Sequence, residues 1–517
     1  MTQLTSSTRP AWLADWTVYL KPRVRTMFFF GFSAGLPFML IFSSLSIWLS
    51  KAGIDVDTIT YFSWAALAYS FKFVWSPLVD KLPIPVLHDM LGRRRSWLLL
   101  TQSLVVTAIV MISLADPANG LRAVVIAVVF LGFSSASQDI VIDALRIESA
   151  TPELQAAMSA IYVAGYRIGM LVSGAGSLYL ASMFGQGEAG YAYTAWQYTY
   201  LCMALLMSVG IATTLLVSEP ERNKTVDSHI HSNRDYAQFL GMFIVVTAAF
   251  VAAFVYLDAS PWLRTNLSPY IGEVLAKFLG QLVRIAVAFM IAAVVAVVTT
   301  NSGLVNREMV LETYVSPVVD FFRRHSKHAV MILLLIGLYR ISDIVLGVIT
   351  NVFYVSLGFT ITQIAGYTKV FGVIMTILGG FVGGAITNRF GVMPILLVGA
   401  VLVVLTNLLF MVLAQVGNDT LWLAIVIAAD NLSAGIASAA FIAYMSSLTN
   451  ISFTAIQYAI FSSLMTLIPK TIGGYSGSMV QQLGYSNFFL VAALMGIPSI
   501  LLVLYLMRKM NPARQTS

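Results

Sequence analysis

Asp139 and Asp143 stand four residues apart within a long apolar stretch. On a helix this spacing puts both carboxylates on one face, about a turn apart. Two like charges desolvated together raise the proton affinity of at least one of them. A deep acid of that kind can take up a proton on one side of a membrane and release it on the other. Asp139 is expected to be the proton-coupling group. Asp143, three residues before Arg146, either shares that role or ties its own helix to the Gly92-Arg93-Arg94-Arg95 loop.

Eight further ionisable residues fall inside apolar stretches: Lys72, Arg167, Arg284, Arg340, Asp343, Lys369, Asp430 and Lys470. A charge at membrane depth costs at least ~2.5–3.5 kcal/mol on insertion scales, so each needs a partner, a wet cavity or a function. Lys72, Arg167, Arg340, Lys369 and Lys470 are candidates to face an anionic substrate. The alternative is pairing within the protein, with Arg167 neutralising Asp139, Arg340 neutralising Asp343 and Asp430 partnering Lys470. Arg284 is expected to snorkel or to meet a lipid headgroup. Gln138, Trp64 and Tyr61 are the polar and aromatic candidates for holding a sugar- or peptide-sized ligand, ahead of Tyr69, Tyr166, Gln457 and Tyr458.

Catalysis has little to build on. His88, His229, His231, His325 and His328 lie in loops or at the ends of apolar runs without metal-ligand company, and the single cysteine, Cys202, sits inside an apolar run. A disulfide framework and a cysteine metal cluster are therefore not expected. The phosphate-cradling pattern GxxxxGK[ST] does not occur, which argues against ATP-driven pumping. Neither a cofactor nor a metal is expected, and the proton gradient is left as the energy source.

These residues have to be positioned by elements that tolerate oil. Of the 517 residues, 58% are hydrophobic and 10% charged, against about 25% charged in a soluble globular chain. Apolar runs long enough to cross a bilayer recur near 27–49, 59–78, 96–114, 122–144, 156–184 and 196–218, then 237–257 and 277–300, then 328–355, 363–388, 392–415, 421–447, 454–480 and 487–507, as judged by span length. The expected fold is an all-α polytopic membrane protein of fourteen spans. Its expected parts are a six-helix bundle over 1–220, a linker with two inserted helices over 221–326 and a second six-helix bundle over 327–517. The first span is expected to be retained, because no small-residue cleavage site follows it.

With both termini cytoplasmic, twenty Lys and Arg fall on that face and four, Lys51, Arg122, Arg264 and Lys277, on the other. Such a split satisfies the positive-inside rule. The formal charge of +7 is thereby placed on one membrane face, with no call for a nucleic-acid partner. The first and last sextets also repeat. Gly53-Ile54 matches Gly358-Phe359, Asp80-Lys81 with Gly92-Arg93 matches Asn388-Arg389-Phe390-Gly391, and Arg167-Ile168-Gly169 matches Lys470-Thr471-Ile472-Gly473. Paired repeats of this kind place a substrate site at their interface.

Four stretches carry a resemblance: residues 71–80 (FKFVWSPLVD), 92–95 (GRRR), 137–144 (SQDIVIDA) and 165–174 (GYRIGMLVSG). They strongly resemble AmpG-type muropeptide permeases of the major facilitator superfamily, and the two inserted spans are similar to that family's layout. The resemblance implies major-facilitator-type bundles and alternating access. It also implies proton symport of anhydromuropeptides from periplasm to cytoplasm, for cell-wall recycling and β-lactamase induction, in a Gram-negative inner membrane; a monomer surrounded by membrane lipid is expected. Competing expectations are a carrier of another anionic metabolite such as acetyl-CoA, a membrane sensor that binds without transport, and a lipid-modifying enzyme. The last would need a cluster of catalytic groups at the interface.

Overall fold

The computed structural model describes residues 17–54, 58–59, 62, 67–151, 154–185, 190–220, 232–256, 265–266, 268–269 and 273–509. The described residues contain helices and turns and no strand. The longer helices are α1 (Pro22–Ile41), α2 (Arg93–Ser113), α3 (Leu121–Glu148), α4 (Gln155–Leu171), α5 (Tyr193–Leu206), α6 (Asn233–Tyr256), α7 (Glu273–Asn301), α8 (Ala329–Leu338), α9 (Ile341–Ser356), α10 (Gly372–Phe390), α11 (Val392–Val416), α12 (Thr420–Leu448), α13 (Thr454–Gly473) and α14 (Ser476–Lys509).

Among the described residues, thirteen helical stretches are long and apolar enough to cross a membrane, and each coincides with one of the fourteen runs read from sequence. The fourteenth run, near 59–78, lies partly outside the described residues. Its described part is broken into Leu67–Phe71, a tight turn at Lys72–Val74 and Ser76–Lys81, with Pro77 in the first turn of the last piece, where a missing N–H costs nothing. One expected boundary moves. The run 454–480 ends at Gly473, a short break follows, and α14 is itself kinked at Gly484, whose φ of +73° interrupts the helix.

The chain packs as two compact units, one built from Met1–Glu221 with His325–Ser517 and the other from Arg222–Arg324. In the second unit α6 and α7 pair, with Phe250 against Phe289 at 4.8 Å. Arg284, expected to snorkel or to meet a lipid headgroup, has a partner within this unit. Its guanidinium donates to the Phe254 carbonyl (2.6 Å) and lies over the Phe254 ring at 4.3 Å, so it closes the C-terminal end of α6, where carbonyls lack helical partners.

The first unit contains both sextets, and backbone geometry bears out their repetition. Gly53 and Gly358 have φ of +80° and +84°. In each case the next residue's N–H bonds five residues back, Ile54 to Leu49 and Phe359 to Tyr354, which is the same glycine-dependent helix ending. Gly92 and Gly391, at +86° and +88°, stand just before the first residues of α2 and α11.

Glycine also sets the two tightest crossings. A Cβ at Gly35 or Gly31 of α1 would come within 3.0 Å of the α4 backbone at Tyr166 or Tyr162, and one at Gly379 or Gly435 would do the same between α10 and α12. Small residues let membrane helices approach backbone to backbone. Here they bring the segment holding Tyr166 and Arg167, and the one holding Asp430 and Asn431, against their neighbours.

Candidate functional site

From Ser134 to Ile147 every residue of α3 is buried, so this half of the helix is enclosed on all sides. Its charges have little access to water, so pairing within the protein offsets much of the cost of their burial. Asp143 lies between two cations, with Lys72 Nζ at 3.6 Å and Arg146 at 3.3 Å. Arg146 is wholly buried. It donates to Gln155 (3.3 Å) and Ser159 (3.1 Å) of α4 and to Ser446 of α12 (2.9 Å), and its guanidinium lies 5.2 Å from the Tyr458 ring of α13. Arg146, one of the twenty cations expected on the cytoplasmic face, is not a loop residue but part of α3. It is a buried link between the two sextets.

The tie between α3 and the Gly92-Arg93-Arg94-Arg95 loop is also made by other residues than expected. Glu148 holds Arg94 at 2.6 Å and Arg93 at 3.2 Å, while Asp80 holds Arg94 at 2.6 Å. Glu219 accepts the backbone N–H groups of Arg94 and Arg95, supplying an anion where the first turn of a helix favours one. Asp80 further accepts from the Ile456 N–H at the start of α13, at 3.4 Å, and Lys81 lies 6.0 Å from the Phe453 ring. Tyr19 donates to the Phe381 carbonyl of α10 at 2.7 Å. At this charged end the two sextets are bound to each other.

Asp139 is 8% exposed, and its Oδ1 is buried without a hydrogen-bond partner. Lys72 and Asp143 are the charged groups that act on it, and it acts in turn on Tyr69, Tyr162 and Tyr166 of its own half and on Tyr458 of the other. Nine residues separate it from Glu148, about 13 Å at the helical rise, so it lies well inside the span, facing the seam between the halves. Gln138, fully buried, turns another way and donates to Ser33 of α1 at 3.2 Å, within the first bundle.

A second charged group lies on the α9 side of the seam. The helix breaks at Arg340, and Asp343 sits in the first turn of α9. Arg340 forms a close ion pair with Asp343, the side chains keeping 25% and 22% exposure, and donates to Ser438 of α12 at 3.0 Å. Arg167 is half-buried. The ions acting on it are Arg340 and Asp343, so the expected pairing with Asp139 is replaced by an approach to the second sextet. Asp430 does not partner Lys470. It lies near Thr406, Asp343 and Arg340, while Lys470 is exposed and makes no hydrogen bond or ion pair with a described residue. Lys369 lies on the helical stretch Ala365–Phe371, and its side chain lies outside the described part, as do Tyr61 and Trp64 altogether.

The seam thus carries charge at successive depths: Asp80 with Arg94 and Glu148, then Lys72 with Asp143 and Arg146, then Asp139, and separately Arg167 with Arg340 and Asp343. Sequence reasoning overlooked the roles of Arg146, Glu148 and Asp80. The signal available was that Arg146 and Glu148 continue the same helix that carries both aspartates.

Residues 27–368 match the Major Facilitator Superfamily. A Rickettsia felis protein named provisionally as transporter AmpG 4 is 31% identical over 489 residues, covering 95% of this chain and 97% of its own. The anhydromuropeptide permease of Escherichia coli K12 is 30% identical, with 94% of this chain and 80% of its own covered. Among solved structures, the proton:xylose symporter XylE superposes with a TM-score of 0.56 at 12% identity, over 97% of this chain and 96% of that one. The human organic anion transporter MFSD10 gives 0.51 at 13%, over 96% and 100%. At such identities the solved structures speak for the fold.

Proposed function

This chain belongs to the major facilitator superfamily and is a multi-pass membrane transporter rather than an enzyme, and from that premise we propose that it imports anhydromuropeptides across a Gram-negative inner membrane by proton symport. Asp139 carries this reading. It is a carboxyl at mid-span with one oxygen unpartnered, beside the Lys72–Asp143 pair and facing the seam. A carboxyl so placed can take a proton and give it up without dismantling a hydrogen-bond network of its own.

The substrate class draws support from the relative named as an anhydromuropeptide permease, similar over 94% of this chain, and from cations at the seam that suit the carboxylates of a sugar peptide. Direction draws support from charge. The face bearing the termini is expected to hold nineteen loop cations once Arg146 is set aside and is taken as cytoplasmic, and it is the end at which Asp80, Arg94 and Glu148 bind the sextets together. Substrate and proton would enter from the opposite face, and release would follow when this end parts.

Uptake of labelled anhydromuropeptide into proteoliposomes tests the proposal. Accumulation is expected when the outside is more acidic than the lumen and not when the two are equal. Asp139→Asn is expected to bind ligand yet fail to accumulate it. Accumulation indifferent to the imposed gradient would overturn proton coupling, and absence of uptake under every gradient would overturn the substrate assignment.

A further inference from the structure

Arg167 is a guanidinium inside the span that makes no hydrogen bond or ion pair with any described residue. The acid acting on it, Asp343, belongs to the other sextet and is already engaged by Arg340. A desolvated cation without its own anion is costly unless water or a ligand serves it. Arg340 and Asp343 keep about a quarter of their side chains exposed, so the space in front of them is reachable. The helix carrying Arg167, α4, packs on α12, and Arg340 reaches α12 from the other side through Ser438 at 3.0 Å, so two guanidiniums, one from each half, border one tethered carboxylate, and a planar fork is the donor geometry that suits carboxylates.

We propose that Arg167 and Arg340 form a two-sided clamp for a carboxylate of the cargo, and that Asp343 is a built-in competitor that occupies the clamp when cargo is absent. This rests on the reading that the seam takes an anionic sugar peptide, and it adds which group is recognised and what opposes it. An incoming carboxylate gains Arg167 at once and Arg340 when Asp343 gives way. Because the clamp draws one cation from each half, an occupied clamp favours the halves' approach at that depth. Asp430, the other acid acting on Arg340, lies on α12, and its removal leaves Arg167 and the Arg340–Asp343 pair in place.

The test is equilibrium binding to purified protein in nanodiscs, with two probes: an anhydromuropeptide with free stem-peptide carboxylates and the same compound with those carboxylates converted to amides. Wild type is expected to prefer the acid by about tenfold, as for one charged hydrogen-bonded contact. Arg167→Gln is expected to lose that preference while still binding the amide. Asp343→Asn is expected to bind the acid several-fold more tightly than wild type and the amide unchanged, which no merely structural role for Asp343 predicts. If acid and amide bind alike in wild type, or if Asp343→Asn weakens both equally, the clamp is wrong while the transport reading stands. If neither probe binds wild type, the substrate reading itself fails.

Discussion

Arg146 shows how much one side chain can hold together. Wholly buried, it joins Asp143 on its own helix to Ser446 across the seam while also satisfying Gln155 and Ser159. Removing one member of such a buried set strands the others, at a cost of ~3–5 kcal/mol. Arg146→Gln is therefore expected to lower the thermal unfolding midpoint of the detergent-solubilised protein, whereas Arg324→Gln, which removes an exposed i,i+4 pair with Asp320, is expected to leave it nearly unchanged. Equal midpoints for the two variants would contradict the assigned burial. Lys72→Gln belongs to the same set. Without its ammonium, Asp143 keeps Arg146 as its one contacting cation among the described residues, and proton-driven uptake is expected to fall steeply, read as initial rate in proteoliposomes.

At the scale of elements, the site depends on how closely helices approach. Gly35 and Gly379 occupy positions where any Cβ would enter the backbone of α4 or α12, so Gly35→Ala and Gly379→Ala must push whole helices apart. Both are expected to lower the yield of monodisperse protein. Gly53 offers a control. Its Cβ position is open, yet its φ is +80°, so Gly53→Ala is expected to cost only the backbone strain, about 1–2 kcal/mol. A ranking by size exclusion and thermal unfolding in which Gly53→Ala is the most damaging would refute this account of the crossings. The break at Arg340 matters as well, since it leaves Asp343 in the first turn of α9, where a carboxylate is favoured.

For the whole molecule, the described residues show the two sextets joined at the end holding Asp80, Arg94, Glu148 and Ile456. The opposite ends carry separate apolar clusters, one around Trp48, Trp196 and Tyr200 and one around Phe353, Phe410 and Phe489. Transport requires the charged end to part. Pairing Asp80→Asn with Glu148→Gln removes both acids that hold Arg94, and is expected to shift the population toward opening there. A thiol reporter reads this cleanly because Cys202 is the sole cysteine. With Ser446→Cys on a Cys202→Ser background, a water-soluble maleimide is expected to label the double variant several-fold faster than the parent. Equal labelling rates would mean that these acids do not hold the seam.

Which stretches become membrane helices was legible in the sequence, because span length and apolarity are local properties. Thirteen of the runs reappear as helices of spanning length and apolar character, and the paired glycines at 53 and 358 and at 92 and 391 take the same backbone angles. Local reasoning also found the pair Arg340–Asp343, three residues apart. Pairings across the chain were another matter. Arg146 meets Ser446 at a separation of 300 residues and Asp80 meets Ile456 at 376, and nothing in the charge or period of either segment names its partner. Arg167 and Asp139 are deep and opposite in sign, which offers a pairing beside the substrate-facing reading, yet the acid that acts on Arg167 is Asp343 of the other sextet. Apolar length decides that a segment enters the membrane. Only the rotation and crossing of helices, set by where glycine lets backbones touch, decides which charges share the seam.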